Sequence, residues 1–301
     1  RRARRSKCLR GSAIQVSRGA GKVRATPADV AEDLLAGCST YWNGSCPGGR
    51  GYTWLSIGRS MMVESSTARS VNIPVDHARL EGDLVIPAGA RGLVLFAHGS
   101  GSGRFSPRNR RVAAVLQDAM LATLLLDLLT DSEARIDSVT AQLRFDIPFL
   151  ADRLLAATDW AASDAATRHL PLGYFGASTG AAAALIAAAK RPERVVAIVS
   201  RGGRPDLASH YIEEVRAPTL LIVGSLDEPV VAMNQDALKR LRTQKRLEVV
   251  PGASHLFEEP GKLERVAELA RDWFIDYFAR ARSGGTAGDP DEMPRRAAGA
   301  D

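Results

Sequence analysis

Cysteine is scarce in this 301-residue sequence, and its three occurrences, Cys8, Cys38 and Cys46, all fall within the first 60 residues. The larger part of the chain has no thiol. Its fold therefore cannot depend on disulfide bonds, and its chemistry cannot depend on a cysteine nucleophile or a thiolate metal site.

Long hydrophobic runs are also lacking. The longest spans nine residues, 181–189, well short of the ~18 needed to cross a bilayer. Four arginines lie within the first five residues, but no apolar segment follows them, so the sequence predicts no secretory signal. We expect a cytoplasmic protein without a membrane partner.

An excess of positive charge is confined to one end of the chain. The net charge is +6, yet residues 1–60 hold 11 basic and 3 acidic residues, and the remainder holds 29 and 31. A nucleic-acid partner is therefore not expected for the body of the protein. Its partner is expected to be a small molecule, and the sequence leaves its oligomeric state open.

Residues 1–60 are rich in Ser, Gly and Arg and show no sustained strand pattern. Three interpretations remain open: non-native upstream sequence, a disordered basic arm, or a small module. We expect a folded domain over residues 61–282. The Gly-, Pro- and charge-rich tail over 283–301 is expected to be disordered.

The domain reads as apolar strands separated by helices. Strands are predicted at 71–75, 80–86, 92–97, 122–126, 172–175, 195–199, 219–223 and 247–250. Helices are predicted at 110–120, 146–163, 179–190, 229–241 and 263–278. Continuous apolar strands between helices predict an α/β fold with a mostly parallel sheet covered on both faces. Functional residues should then follow the carboxyl ends of strands.

A candidate nucleophile lies in the sequence Gly-Ala-Ser-Thr-Gly at residues 176–180. A predicted strand precedes this G-x-S-x-G motif and a predicted helix follows it, which is the setting of a strained turn that exposes a serine hydroxyl. The helix N-terminus adds positive potential where an oxyanion would form. We therefore predict Ser178 as the nucleophile. The alternative is a serine that merely caps the helix.

A serine nucleophile needs a base, and the base needs an orienting carboxylate. Among the five histidines, His255 lies in the loop after the last predicted strand, and Asp227 follows the strand before it. The chain order Ser178, Asp227, His255 is the order expected for this architecture. Glu228 and Asp206 are competing acids. A surface histidine and a helix cap at Asp227 are the alternatives without catalysis.

The oxyanion hole needs two backbone N–H groups. Thr179, directly after the nucleophile, should supply one. The Gly-rich loop 98–103 follows a predicted strand and should supply the other, from Ser100 or alternatively from Gly101. His98 at the start of this loop is interpreted as structural.

The same loop supports a rival interpretation, a dinucleotide-binding oxidoreductase. Gly99, Gly101 and Gly103 follow a strand, and Asp127 ends a later one, but Arg104 stands where the fingerprint needs its third glycine. The rival also leaves the serine, aspartate and histidine placements unexplained. We expect no cofactor, and no cluster has metal-ligand spacing.

Arg144 and Asp146 at a helix start could pair beside the site, although a solvated pair is the simpler interpretation. The loops at 130–136 and 201–213 should shape the pocket. Too few residues separate the strands at 195–199 and 219–223 for a large cap. We therefore expect an open site that prefers small or short-acyl esters.

Residues 71–282 resemble the α/β-hydrolase superfamily and, within it, the dienelactone hydrolase-like branch. The resemblance rests on His-Gly-Ser-Gly-Ser-Gly at 98–103, Gly-Ala-Ser-Thr-Gly at 176–180, Gly-Ser-Leu-Asp at 224–227 and Gly-Ala-Ser-His at 252–255. It implies the α/β-hydrolase fold with little or no cap. Dienelactone hydrolases proper have cysteine at the nucleophile position, so Ser178 favours a serine carboxylesterase. The alternative is a non-catalytic, ligand-binding scaffold.

The stretch 121–149 also looks like that of branch members fused behind a phosphoribosyltransferase domain. Residues 1–60 give no sign of such a domain.

Overall fold

The computed structural model describes residues 67–76 and 78–283. Its strands are β1 Thr67–Val75, β2 Ala78–Ile86, β3 Leu93–Ala97, β4 Ala122–Leu126, β5 Leu172–Ala177, β6 Val195–Arg201, β7 Thr219–Gly224 and β8 Lys245–Val250. Its α-helices are α1 Pro107–Asp118, α2 Asp131–Thr140, α3 Ile147–Ser163, α4 Thr179–Lys190, α5 Glu228–Arg240 and α6 Lys262–Arg282. The predictions for residues 1–60, and for the tail beyond Ser283, lie outside the described residues.

All eight strands form one sheet in the order β1-β2-β4-β3-β5-β6-β7-β8. The pairs β1–β2 and β2–β4 are antiparallel, and every other pair is parallel. The central strands β3, β4, β5 and β7 are buried along their whole length. Their predominantly apolar character follows from helices covering both faces. The predicted mostly parallel α/β sheet is confirmed.

Two apolar layers flank the sheet. On one face α3, α4 and α5 contribute side chains such as Leu154, Leu185 and Ala237. On the other face α1 and α6 contribute Val112 and Phe274. Helix α4 is almost entirely buried, and its many alanines allow the close approach to the sheet that a bulkier helix could not make.

Two segments expected as irregular loops contain helices. Residues 130–136 include the start of α2, which is fixed by a capping box between Thr130 and Glu133. The helix escapes the periodicity test because it buries only Asp137 and exposes Ile136 and Val139. In the second segment, 201–213, 3₁₀ turns begin at Pro205 and continue to Glu214.

The parallel strands bring their carboxyl ends to one edge of the sheet. The loops after β3, β5, β6, β7 and β8 therefore meet there, as the sequence predicts. None of the helices in the described ranges is long and apolar enough to span a bilayer.

Candidate active site

Ser178 lies in a sharp turn between β5 and α4. Its backbone has φ 51° and ψ −119°, a conformation that costs a residue with a side chain about 1–3 kcal/mol. Three backbone hydrogen bonds hold it: its N–H donates to Arg201 O at 3.1 Å, and its carbonyl accepts from Ala181 N and Arg204 N, each at 3.1 Å. Surrounding structure thus fixes the strained turn.

Glycine is required on both sides of this turn. A Cβ at Gly180 would overlap the carbonyl oxygens of Ala97 and His98, and one at Gly176 would overlap the backbone of Ala181. Overlap with backbone cannot be relieved by rotating a side chain. The two glycines of the motif therefore let the turn pack directly against the end of β3.

Ser178 and Asp227 both occupy the residue that precedes a helix, α4 and α5 respectively. In neither case does the side chain make a capping hydrogen bond. A simple capping role is thus not what the structure shows for either residue. Both side chains remain available for other contacts.

Asp227 and His255 are brought together by the loops after β7 and β8. The loops are joined by backbone hydrogen bonds, including Leu226 N to Ala253 O at 3.0 Å. Asp227 Oδ2 lies 2.6 Å from His255 Nδ1, and the two side chains are 16% and 38% exposed. A carboxylate accepts from Nδ1–H in this geometry, which leaves Nε2 as the nitrogen that can accept a proton.

The competing acids have other environments. Asp206 accepts two hydrogen bonds from the Arg204 guanidinium, at 2.9 and 2.7 Å. Glu228 is exposed at the start of α5. Among the three candidate acids, Asp227 alone contacts His255 within the described ranges.

Ser178 and His255 both lie against the residues at the end of β6. Arg201 O accepts the Ser178 N–H, and a Cβ at the next residue, Gly202, would lie 3.4 Å from His255 Nδ1. Among the described residues, the His255 side chain hydrogen-bonds to Asp227. It makes no hydrogen bond to the Ser178 hydroxyl. Such bonds are often long until a substrate is bound.

Ser100 and Thr179 lie side by side at the candidate oxyanion hole, with Ser100 Oγ 3.1 Å from Thr179 Oγ1. The N–H groups of both have no backbone acceptor within the described ranges. A Cβ at Gly99 would lie 3.1 Å from Ser178 Cβ, so this loop packs on the turn. A Cβ at Gly101 would instead lie 3.7 Å from Arg144 Nη1.

His98 is structural, as the sequence predicts. Its Nε2 accepts from Leu128 N at 3.0 Å, and its Nδ1 donates to Gly99 O at 3.0 Å. These bonds tie the end of β3 to the segment after β4. Burial lowers the pKa of His98, which keeps the ring neutral and able to accept a hydrogen bond.

A cavity of about 290 Å³ opens beside Ser100 and Thr179. Its other wall comes from α2 and the turn Leu143–Phe145 and includes Asp137 and Arg144. Arg144 Nε lies 2.6 Å from Asp137 Oδ2, and its N and Nη2 also bond Asp137. The expected pairing of Arg144 with Asp146 is wrong. Asp146 instead caps α3 through Phe149 N.

Asp137 was missed by the sequence reasoning because it lies seven residues from its partner, on a helix without an apolar stripe. Burial alone would raise its pKa. The hydrogen bonds and charge of Arg144 outweigh burial and hold the pKa of Asp137 below its ordinary value. The capping box at Thr130 was the signal that could have revealed α2.

Asp127 has a structural role in the Gly-rich loop. It binds the Arg104 guanidinium and accepts from Arg104 N at 2.7 Å, and a Cβ at Gly103 would overlap it. It is therefore already occupied, whereas a dinucleotide site needs a free carboxylate for a ribose. In residues 67–76 and 78–283, no three His, Cys, Asp or Glu side chains gather as a metal site would require.

The sheet order, the strained serine turn and the loops at the carboxyl edge define an α/β hydrolase. The sequence model of the dienelactone hydrolase family matches residues 130–282. A dienelactone hydrolase from Anabaena variabilis is 62% identical, and the match covers 70% of this chain and 98% of that one with a TM-score of 0.70. The chain belongs to the dienelactone hydrolase family.

Other relatives carry different names. Two curated proteins from strains of Mycobacterium tuberculosis, named "Putative phosphoribosyl transferase", are 57% identical over 208 residues, which is 69% of this chain and 46% of each relative. The chain thus spans about half the length of these relatives. Est1E from Butyrivibrio proteoclasticus shares the fold, with a TM-score of 0.59 at 17% identity over 70% of this chain and 99% of that one.

Family membership makes the chain a hydrolase of the dienelactone hydrolase type. The oxidoreductase alternative is left without support.

Proposed function

We propose that the protein is a serine carboxylesterase that hydrolyses small or short-acyl esters through an acyl-serine intermediate. Ser178 attacks the ester carbonyl while His255 Nε2 takes its proton. Asp227 holds the imidazole in the required tautomer and stabilises its charged form. The N–H groups of Thr179 and Ser100 bind the oxyanion. His255 protonates the leaving alcohol and then activates water for deacylation.

The observation that carries this proposal is the 2.6 Å contact between Asp227 and His255, together with a Ser178 side chain that caps no helix. An aspartate directly before a helix ordinarily caps it. Here the carboxylate turns to an imidazole instead, at the edge of the sheet where the strained serine also lies. A loop with no catalytic role would not require an aspartate, a histidine and a strained serine at one edge of the sheet.

The cavity supports the choice of substrate size. About 290 Å³ beside Ser100 and Thr179 is at the small end of ligand-binding sites. An acetyl or butyryl group fits there, whereas a long chain would have to extend into solvent. The Asp137–Arg144 pair adds a polar wall that an alkyl chain does not satisfy.

The proposal is tested by turnover of p-nitrophenyl esters of increasing acyl length. Ser178→Ala should abolish turnover of the acetate, to at most about 10³–10⁴-fold over the uncatalysed reaction. Ser163→Ala, which alters an exposed serine on α3, is the control and should keep the full rate. If Ser178→Ala keeps most of its rate, or if palmitate is preferred to acetate, the proposal is wrong.

A non-catalytic, ligand-binding scaffold is the second candidate. It is favoured by one observation, the lack of a hydrogen bond between His255 and the Ser178 hydroxyl in the described part of the chain. A fluorophosphonate separates the two functions because it labels only an activated serine. Labelling of Ser178 that disappears in His255→Gln supports the esterase, and no labelling of the native protein supports the scaffold.

A further inference from the structure

Asn234, in the middle of α5, is fully buried although its side chain is polar. Its Nδ2 atom lies 3.0 Å from Gly203 O and 2.8 Å from Val230 O. Because both neighbours are acceptors, the amide must direct its NH₂ group toward them. Its Oδ1 atom is sealed from solvent and accepts no hydrogen bond within the described ranges. Burial of this amide therefore has a cost that an aliphatic side chain would avoid.

The two contacts of the Asn234 amide connect different parts of the molecule. Val230 lies four residues earlier on the same helix, where its carbonyl is already the main-chain acceptor of α5. Gly203 instead belongs to the loop after β6. No backbone N–H donates to Gly203 O in the part of the chain that the structure describes. Asn234 is thus the side chain that fixes this loop carbonyl.

The loop after β6 lies between the candidate nucleophile and the candidate base. On one side, a Cβ at Gly202 would lie 3.4 Å from His255 Nδ1. On the other side, Arg204 N donates to Ser178 O at 3.1 Å. Gly203 connects these two contacts along the chain. A displacement of its carbonyl would therefore move the neighbours of both Ser178 and His255.

Packing around Gly203 is tight on the side of α4. A Cβ at Gly203 would overlap Ser200 Oγ and lie 2.7 Å from Ala181 Cβ. Within the described residues Ser200 Oγ has no hydrogen-bond partner, so this contact is steric and not polar. Steric contact limits how closely Gly203 can approach α4, whereas the bond from Asn234 supplies the direction of its carbonyl.

We propose that Asn234 is a positioning residue whose bond to Gly203 O holds the loop after β6 where it aligns Ser178 with His255. The proposal rests on the proposed esterase function. Asp227 directly precedes α5, and Asn234 lies about two turns further along the chain. One helix and the residue before it thus carry both the acid that orients His255 and the amide that holds the loop.

The alignment matters because the hydroxyl and the imidazole must come within hydrogen-bond reach in the substrate complex. Asn234→Leu keeps a branched side chain but removes the donor. Because a shift of about 1 Å can cost about 10²-fold in rate, kcat for p-nitrophenyl acetate should fall by about 10- to 10²-fold. KM should change by less than about twofold, because the loop does not line the cavity beside Ser100.

A second variant and a second probe keep this test independent of side-chain size and of substrate binding. Asn234→Ala removes the amide without adding volume and should lose kcat in the same way. The rate at which a fluorophosphonate labels Ser178 should fall by a similar factor, because labelling depends on the activated hydroxyl. Native kcat and native labelling in both variants would refute the proposal.

Thr219→Val is the matched control. Thr219 is also fully buried, and its Oγ1 donates to Ala217 O at 2.9 Å at the amino end of β7, away from the candidate site. Its replacement should lower the Tm as Asn234→Leu does, yet keep the native kcat. Asn234 is a structural residue only, and the proposal is refuted, if both replacements lower the Tm and neither lowers kcat. Failure of both Asn234 variants to fold would refute it as well.

Amide hydrogen exchange tests the loop without any activity measurement. The N–H groups of Gly202 and Arg204 donate to Ile222 O and Ser178 O. In Asn234→Leu their exchange should accelerate by about tenfold or more, because the loop loses its hydrogen bond to α5. In Thr219→Val it should stay at the native rate. Unchanged exchange in Asn234→Leu would show that Asn234 does not hold the loop.

The two proposals fail separately. If the native protein hydrolyses p-nitrophenyl acetate and Asn234→Leu matches it in turnover and exchange, the positioning role alone is refuted. If the native protein hydrolyses no ester while the loop still loosens in Asn234→Leu, the esterase is refuted. The catalytic part of the positioning role then fails with it, and the contact between α5 and the loop stands.

Discussion

Ser178 keeps a backbone conformation that suits glycine better than serine, with φ 51°. The cost of this conformation is justified only if the hydroxyl is needed where the turn presents it. Asp227 likewise forgoes the capping bond that its position offers and binds His255 instead. Ser178 thus departs from the backbone conformation that serine prefers, and Asp227 departs from the capping contact that its position favours. Both residues lie at the carboxyl edge of the sheet.

Replacing Ser178 by glycine should therefore stabilise the protein. Glycine has no Cβ and accepts a positive φ without strain, whereas alanine keeps the Cβ and the strain. We expect the Tm of Ser178→Gly to exceed that of Ser178→Ala by at least about 2 °C, with both inactive. Equal or lower stability of the glycine variant in calorimetry would show that the turn is not strained.

Asp227→Asn should keep the contact with His255 but remove its charge. Because the amide favours the wrong imidazole tautomer, kcat should fall by about 10³–10⁴-fold. Asp206→Asn is the matched control, since Asp206 binds Arg204 rather than a histidine. The assignment fails if Asp206→Asn loses more activity in the p-nitrophenyl acetate assay than Asp227→Asn does.

At the scale of elements, α2 and the turn after it form the wall of the cavity opposite Ser100. The wall is held by three hydrogen bonds between Arg144 and Asp137. Helix α2 buries only Asp137 and has no apolar stripe to pack. Its position therefore depends on this one polar contact and on the pair between Glu133 and Arg153.

Arg144→Ala should loosen α2. Amide hydrogen exchange over residues 131–140 should accelerate by about tenfold, because Asp137 loses its partner. Arg135→Ala, which alters an exposed arginine of the same helix, should leave the exchange unchanged. Equal exchange in the two variants would show that Arg144 does not hold the wall.

Acid should loosen α2 in the native protein. The folded pKa of Asp137 is lowered, so the contact contributes fully above the unfolded pKa of about 4 and is lost as pH falls through the lower folded value. Exchange over 131–140, corrected for the intrinsic rate, should stay protected from neutral pH to about pH 4 and lose protection below it. Loss of protection that begins near neutral pH would contradict the assignment.

The sheet and most helices could be predicted because their signal is local. β3 is a continuous apolar run, β4 and β7 are apolar except for a threonine and a glycine, and α6 presents an apolar stripe at helical spacing. Helix α2 could not be recognised by that signal because it exposes Ile136 and Val139. Burial by a neighbouring layer leaves a pattern in the sequence, but attachment through one polar contact does not.

The residues of the candidate site also differ in how far the sequence could predict them. Ser178, Asp227 and His255 could be placed because each follows its own strand and parallel strands end at one edge. The partner of Arg144 could not, because Asp137 and Asp146 are both near it in sequence and only the fold chooses between them.

For the whole molecule, the distribution of charge separates the sequence into two parts. Residues 1–60 carry a net charge of +8, and the other 241 residues carry a net charge of −2. Among the residues that the structure describes, those that form the sheet, the cavity and the candidate site belong to the second part. We propose that catalysis belongs to this part, and that the high pI is not a property of the enzyme domain.

A chain that starts at Met61 should therefore hydrolyse p-nitrophenyl acetate with the same kcat/KM as the full chain. Neither the shortened chain nor the full chain should bind duplex DNA measurably at 150 mM salt. A large loss of turnover would give residues 1–60 a part in the site. DNA binding that is lost with residues 1–60 would make the basic segment functional.

The central claim is an acyl-enzyme on Ser178, and rapid acid quench of the reaction with p-nitrophenyl acetate tests it most directly. Mass spectrometry of the digested native protein should find one acetyl group on the peptide that contains Ser178. The group should disappear on a longer incubation once substrate is exhausted, and it should be missing in Ser178→Ala. Turnover without any acetylated intermediate, or acetylation that persists at another residue, would contradict the account.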